Sequence, residues 1–133
     1  MPLFVLLLGI WLVQASQGPV PLAVYQAIID YPEFEPYLVK GSGADEGLRI
    51  LRNAHIPAHY KLYKYGRAVP IVPESLLQEY TLTNYLIFQD AWHAGDSAML
   101  VLQSRGGGVE ASFELRRIEK NWQVTKADWF RLP

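Results

Sequence analysis

The feature of this sequence that most limits its fold is the alternation of apolar and polar side chains within residues 80–132. From Val109 to Leu115 every second residue is apolar, which is the period of a strand with one buried face. Residues 98–103 are nearly all apolar, as expected of a central strand covered on both faces. Short polar or glycine-rich turns separate these stretches. The pattern predicts several antiparallel strands in this part of the chain.

The last predicted strand contains a change of phase. Its apolar residues keep one alternation up to Val124 and take the opposite one from Ala127 onward. A one-residue slip of this kind would send apolar side chains to the wrong face of the sheet. We therefore predict a β-bulge near Thr125 or Lys126, where one unpaired residue restores the apolar face.

Upstream of the sheet, apolar residues recur at helical spacing in residues 21–31, which predicts a helix. A second short helical turn is predicted in residues 32–38, where Glu33 and Glu35 lie beside the positive end. Residues 39–47 contain three glycines and are interpreted as a loop.

Residues 48–52 predict a short strand. The following stretch, residues 58–65, fits both a strand and a short helix. We favour the helix slightly, because Pro57 suits its first position and Gly66 suits the position just past its end.

A further strand is predicted in residues 68–72, where Pro70 limits it to a sheet edge or a bulge. Residues 74–79 predict another helical turn. Together these elements predict an α+β fold, in which one or two short N-terminal helices pack on a twisted antiparallel sheet of about four to six strands.

The N-terminus carries an uncharged apolar run in residues 3–13, which predicts a secretory signal peptide over residues 1–15. The run is shorter than the roughly 20 residues that a membrane span needs, so no stable span is expected after cleavage. Val13 and Ala15 fit the small positions of a cleavage site. A buried strand and an uncleaved anchor are the alternatives. Residues 16–133 are then expected to form a single α+β domain.

The chain contains no cysteine, which excludes disulfides, thiolate catalysis and iron–sulfur clusters. A small exported domain without disulfides fits the bacterial periplasm or exterior better than a eukaryotic extracellular setting. Charge is unevenly placed: residues 16–47 carry five acids and one base, whereas residues 48–73 carry five bases and no acid. This asymmetry indicates either an anion-binding face or two solvated surfaces that attract each other weakly.

In residues 113–129 a strand is followed by a charged turn that ends in Asn121 and Trp122, and then by a strand in which Val124 alternates with polar residues. This arrangement resembles the closing hairpin of nuclear transport factor 2-like proteins, and residues 85–129 carry the resemblance. It is also similar to uncharacterised small exported bacterial α+β proteins. The resemblance implies a curved sheet around a cone-shaped pocket and assigns no catalytic residue.

Asp90 is the candidate for catalysis. It falls in phase with Leu86, Phe88 and Trp92, so its carboxylate is expected to share the buried face of a strand. Desolvation there would raise the pKa of Asp90 and suit it to general acid or base chemistry. The alternatives are that this end of the strand faces water, or that Asp90 bonds a nearby backbone group.

His55 and His59 have the four-residue spacing of a helical zinc pair, but Pro57 between them argues against a shared helix face. We therefore predict no metal site and no cofactor. Aromatic and basic residues interleave from residue 60 to residue 67, as they do in nucleic-acid sites, but export argues against a nucleic-acid partner. The predicted ligand or partner surface consists of Tyr60, Tyr63, Lys64, Arg67 and Trp92.

These observations predict an exported, non-catalytic binding or interaction module of the bacterial cell envelope. Its partner would be an anionic lipid, a glycan, a small ligand or a protein, and not a nucleic acid. The alternative is a small pocket enzyme that uses Asp90 as its acid or base. A filled core with an exposed aromatic or basic patch would favour the interaction module, whereas a closed pocket containing Asp90 would favour the enzyme.

Overall fold

The structure is a computed structural model that describes residues 18–38 and 47–133. The predicted signal peptide, residues 1–15, lies outside the described residues, as does nearly all of the predicted loop at residues 39–47.

Three helical segments occur in the described part of the chain. Helix α1 occupies Leu22–Ile29, a 3₁₀ helix follows at Pro32–Tyr37, and helix α2 occupies Glu74–Glu79. Proline precedes or begins each of them, where its missing N–H removes no helical hydrogen bond. Within residues 18–38 and 47–133, none of these helices is long and apolar enough to cross a membrane.

The strands belong to a main sheet and a separate hairpin. Their bounds are Arg49–Leu51 (β1), Leu62–Lys64 (β2), Arg67–Val69 (β3), Ile71–Val72 (β4), Tyr85–Ala94 (β5), Ser97–Ser104 (β6), Val109–Ile118 (β7) and Asn121–Arg131 (β8). The six-stranded sheet has the order β4-β1-β5-β6-β7-β8, and among the described strands β2 pairs only with β3. Strands β5 to β8 form an antiparallel meander.

The predicted mixed α+β class is confirmed, and six strands fall within the predicted number. The sheet is not antiparallel throughout, however, because β1 runs parallel to both β4 and β5. The chain leaves β1 and returns through the β2–β3 hairpin to β4, and then through α2 to β5. These connections are long enough for β4 and β5 each to run parallel to β1.

The prediction of a short helix at residues 58–65 is wrong, since this stretch leads into the β2–β3 hairpin. Tyr65 and Gly66 both have positive φ, 53° and 73°, and they form the two-residue turn between the strands. Two positive-φ residues fit the right-handed twist of a tight hairpin, and glycine adopts this conformation without steric cost. Leu62 pairs with Val69, and both are buried in the core.

The core lies between α1, the 3₁₀ helix and one face of the meander. Phe88 and Phe113 come from this face and are fully buried. The ring of Tyr25 from α1 meets Phe88 edge-on at 5.0 Å, and the ring of Phe34 from the 3₁₀ helix meets Phe113 at the same distance. This side of the sheet is therefore filled with side chains between Phe88 and Phe113.

Two bulges interrupt the meander. Glu114 pairs with Lys126 and Leu115 pairs with Val124, which leaves Thr125 unpaired and confirms the predicted bulge. A second bulge occurs at Gln89, because Phe88 pairs with Leu102 while the next pair joins Asp90 to Val101. Because of this bulge, the residues of β5 after Gln89 face the opposite side of the sheet from the one that the alternation of Leu86 and Phe88 predicts.

Candidate interaction surface

The β2–β3 hairpin stands beside α1 and carries three of the five residues of the predicted surface. Its backbone is bound to α1 through Gln26, whose amide donates to the Tyr63 carbonyl at 2.8 Å and accepts from the Tyr63 N–H at 3.1 Å. The Lys64 ammonium donates to the carbonyl of Ile29 at 3.0 Å. This carbonyl belongs to the last turn of α1, where cations are favoured. The hairpin is thus fixed by specific long-range contacts.

The hairpin carries aromatic and basic groups on both of its faces, since Tyr63 points to one face and the pair Lys64 and Arg67 to the other. Tyr63 is 50% exposed and Tyr65 is 65% exposed, and Arg67 is exposed at the start of β3. The Lys64 ammonium lies 5.0 Å from the centre of the Tyr65 ring, within cation–π distance. We call Tyr63, Lys64, Tyr65 and Arg67 the hairpin surface.

Glu35 of the 3₁₀ helix lies against this surface and accepts a hydrogen bond from the Tyr65 hydroxyl. Because this bond and the nearby negative charge favour the protonated phenol, they raise the pKa of Tyr65. The contact brings the acidic N-terminal stretch next to the basic hairpin. A bond between a phenol and a carboxylate does not decide between the two interpretations of the charge asymmetry. Arg67 is an exposed cation of the surface.

Tyr60 belongs to the predicted surface, but its hydroxyl and its ring both make contacts within the protein. Its hydroxyl donates to the carbonyl of Val20 at 2.7 Å, and its ring meets Tyr25 edge-on at 5.7 Å. Partial burial raises the pKa of Tyr60. The side chain connects the start of the described chain to α1, so only part of it is available to a partner.

Trp92 is separated from the hairpin by the main sheet. It pairs with Met99, which lies between the buried residues Ala98 and Leu100 and therefore points to the opposite face. Directly paired residues of an antiparallel ladder lie on the same face, so Trp92 faces away from the core. Tyr63, Lys64 and Arg67 therefore share the β2–β3 hairpin, whereas Tyr60 precedes it and Trp92 faces away from the core on the main sheet.

The prediction that Asp90 shares the buried face of β5 is wrong. The bulge at Gln89 turns Asp90 outward, and the residue is exposed. Its carboxylate accepts a hydrogen bond from the N–H of Ala91 at 2.9 Å. Both alternatives for the residue therefore hold, since Asp90 faces water and bonds a nearby backbone group. An exposed carboxylate lacks the desolvation on which an acid–base role would depend.

His55 and His59 lie in the loop between β1 and β2. The described residues contain no cluster of three or more metal-ligating side chains. The backbone of His55 has a structural role, since its N–H donates to the Asn53 side chain at 2.9 Å and its carbonyl accepts from the Tyr25 hydroxyl at 2.5 Å. Burial, together with the neighbouring Tyr60, raises the pKa of Tyr25, so this phenol stays protonated.

A half-open cleft of about 400 Å³ lies where this loop meets the start of the described chain. Val20, Tyr25, His55 and Ala91 are among the residues that line it. The Tyr25 hydroxyl and the Asn53 amide are already bonded to backbone carbonyls, of His55 and Phe88 respectively. The sequence did not predict this cleft, because residues 18–20, 53–57 and 91 meet only through long-range packing. A second cleft, of about 380 Å³, lies between α2 and β5.

Comparison with family models, with curated proteins and with solved structures finds no match to this chain. The resemblance of residues 85–129 to nuclear transport factor 2-like proteins therefore stays a prediction.

Proposed function

We propose that this protein is a non-catalytic binding module that recognises an anionic partner through the hairpin surface. The observation that carries the proposal is the contrast between a filled core and an exposed, anchored set of aromatic and basic side chains on β2–β3. Tyrosine and arginine are the residue types enriched in recognition surfaces. A surface fixed to a helix through Gln26 and Lys64 loses little conformational entropy on binding.

The environment of Asp90 offers no support for the alternative of a pocket enzyme. An exposed carboxylate bonded to its neighbouring N–H keeps an environment close to that of water, and neither described cleft is lined by it. An acid–base function would need a group whose surroundings favour proton transfer near neutral pH.

The chemistry of the surface favours a partner with fixed negative charge. The stretch from residue 48 to residue 73 contains five bases and no acid. The Lys64 ammonium lies 5.0 Å from the centre of the exposed Tyr65 ring, and Arg67 is exposed at the start of β3. Aromatic rings add apolar contact, while arginine binds carboxylate, sulfate or phosphate groups through paired hydrogen bonds. An anionic glycan and an anionic lipid headgroup share this chemistry.

Binding is tested with two probes, dextran sulfate and vesicles that contain phosphatidylglycerol, with phosphatidylcholine vesicles as the neutral reference. Arg67→Glu should weaken binding by about thirtyfold, since each basic side chain near an anionic surface contributes about 1 kcal/mol and a reversal changes two charges. Arg116→Glu is the matched control, because Arg116 is equally basic and exposed but lies on β7. Tyr63→Ala should also weaken binding, and Tyr80→Ala, another exposed tyrosine, should not.

Preference for dextran sulfate would identify a glycan-type partner, and preference for the anionic vesicles would identify a lipid headgroup. Equal loss of binding in Arg67→Glu and Arg116→Glu would show that only overall charge matters and would contradict the proposal. Binding to neither probe would also contradict it.

The proposed setting is the bacterial cell envelope, reached by export. Its support is the uncharged apolar run in residues 3–13 and the absence of cysteine. Expression of the chain in a bacterial host, followed by cell fractionation and mass measurement, tests this. A periplasmic or external product that begins at Ser16 is expected, and a cytoplasmic product of full mass would contradict it.

A further inference from the structure

Strand β8 forms one edge of the main sheet over eleven residues, and among the described strands it pairs only with β7. The opposite edge is different, since β4 has two residues and lies between Pro70 and Pro73. Short, proline-flanked edges resist pairing with another strand, whereas a long edge offers a row of free backbone groups. An added strand is therefore expected at β8.

The register shows which backbone groups of β8 face outward. The N–H of Leu132 donates at 2.8 Å to the carbonyl of Gly108, the residue that precedes β7, so Leu132 points its backbone groups toward β7. In an antiparallel ladder these directions alternate from one residue to the next. Arg131, Trp129 and Ala127 therefore direct their N–H and C=O groups away from β7, to the free edge.

The charged residues on either side of Ala127 have opposite signs, so they would attract each other between two antiparallel copies of β8. Lys126 and Asp128 flank Ala127 on the face of the sheet away from the core. If a second β8 lies antiparallel with a two-fold axis at Ala127, each Lys126 stands opposite Asp128 of the other copy. These are directly opposed positions without ladder hydrogen bonds, where side chains come closest. A shift of the axis by one residue would place lysine against lysine or aspartate against aspartate.

We infer that β8 pairs with β8 of a second copy of this chain, antiparallel around a two-fold axis at Ala127. Lys126 is free to make the new contact, because its ion pairs with Glu114 and Asp128 within the chain are loose, at 3.9 and 4.0 Å, and exposed. The small side chain of Ala127 permits close approach at the axis. The inference does not depend on the hairpin surface, which lies on the other sheet.

The bulge at Thr125 limits the size of this interface. A lysine and a bulge are common protections of an edge strand. Residues after Asp128 would lie opposite residues before Lys126 of the other copy, so the bulge restricts regular pairing to residues 126–128. The ladder is short, so the dimer should be weak and should dissociate on dilution. A two-fold edge contact closes on itself, and no species larger than a dimer is expected.

The test is sedimentation of the full-length chain over about 1 µM to 1 mM, the range in which weak dimers dissociate. Ala127→Pro removes an N–H that does not bond to β7, so the fold should survive while the dimer is lost. Lys126→Asp and Asp128→Lys should each weaken the dimer roughly tenfold, since each creates two like-charge contacts. The double variant K126D/D128K should restore dimerisation. Lys120→Asp, in the turn before β8, is the control and should leave it unchanged.

The inference is overturned if the chain stays monomeric throughout, if larger species form, or if the double variant dimerises no better than the single ones. Dimerisation that is insensitive to Ala127→Pro also overturns it. Should Ala127→Pro fail to fold, the charge variants still decide the question, because all of their changes lie on an exposed face.

Discussion

The β5–β8 meander and residues 48–79 are built from different kinds of contact. In the meander, strands of eight to eleven residues pair with the next strand in sequence through short turns. In residues 48–79 the strands have two or three residues. Strand β1 pairs with β4 and β5, which lie further along the chain, and the β2–β3 hairpin is fixed to α1 by Gln26 and Lys64. Local pairing specifies the first region, whereas a few long-range bonds specify the second. We therefore expect that mutations can alter the hairpin surface without destabilising the β5–β8 meander.

The largest expected effect is in the core of the meander. Phe113→Ala should lower the free energy of unfolding by about 3–5 kcal/mol, because it empties a fully buried site against Phe34. Denaturant unfolding measures this. The matched control is Phe130→Ala on β8, since Phe130 is 66% exposed and its loss should change stability by less than about 0.5 kcal/mol. Equal effects would mean that the core is not packed as described.

A smaller effect is expected where the β6–β7 turn meets the 3₁₀ helix. A Cβ added at Gly107 would lie 2.3 Å from the carbonyl oxygen of Tyr37 and 2.8 Å from its Cα. Gly107→Ala should therefore cost about 1–3 kcal/mol by overpacking against backbone. Gly47→Ala is the control, because an added Cβ there meets nothing within 4 Å. Thermal unfolding of both variants gives the comparison, and an unchanged Gly107→Ala would contradict the described packing.

The bulge in β8 gives a sharper test of local pairing. Deletion of Thr125 would leave a regular alternation of Val124, Lys126 and Ala127, so we expect a loss of about 1 kcal/mol, chiefly the hydrogen bond from Thr125 to the Glu114 carbonyl. Deletion of Gln123 would instead shift the register and should cost clearly more. Unfolding measurements on both deletions decide this. The reverse order would mean that Thr125 is not the unpaired residue.

The smallest effect is expected in the hairpin. Gln26→Ala removes both hydrogen bonds to Tyr63 and should speed amide exchange in β2 and β3 by about 5–30-fold, with little change in β6 and β7. Gln78→Ala is the control, since this exposed glutamine occupies the other helix. A uniform increase over all strands would show that the hairpin and the meander open together, which would contradict their separation.

The difference between the two regions also explains which features the sequence could predict. The strand alternation around Phe113 and the phase change at Thr125 are local, so the pattern alone predicted a strand and a bulge that the structure contains. The second bulge gave no such signal, because Gln89 and Asp90 are both polar and either can face water. Only pairing with β6 places Ala91 opposite Leu100 and Asp90 outside.

The sequence predicted a group of aromatic and basic residues in this stretch, but it did not predict the hairpin that presents them. Tyr63, Lys64 and Arg67 are neighbours in sequence and could be grouped on that ground, but Gly66 fits both a helix end and a tight turn. Trp92 was assigned to the same surface, yet the bulge at Gln89 places it across the sheet. The position of the hairpin depends on hydrogen bonds to residues more than 30 positions away, and a short stretch of sequence does not reveal such bonds.

The central claim is that the partner is bound by the hairpin surface and not by a cleft or by Asp90. Amide exchange of the chain with and without dextran sulfate tests it most directly. We predict protection confined to residues 60–69, with the meander unchanged. Protection at residues 53–57 and around Ala91, or no protection at any position, would contradict the claim.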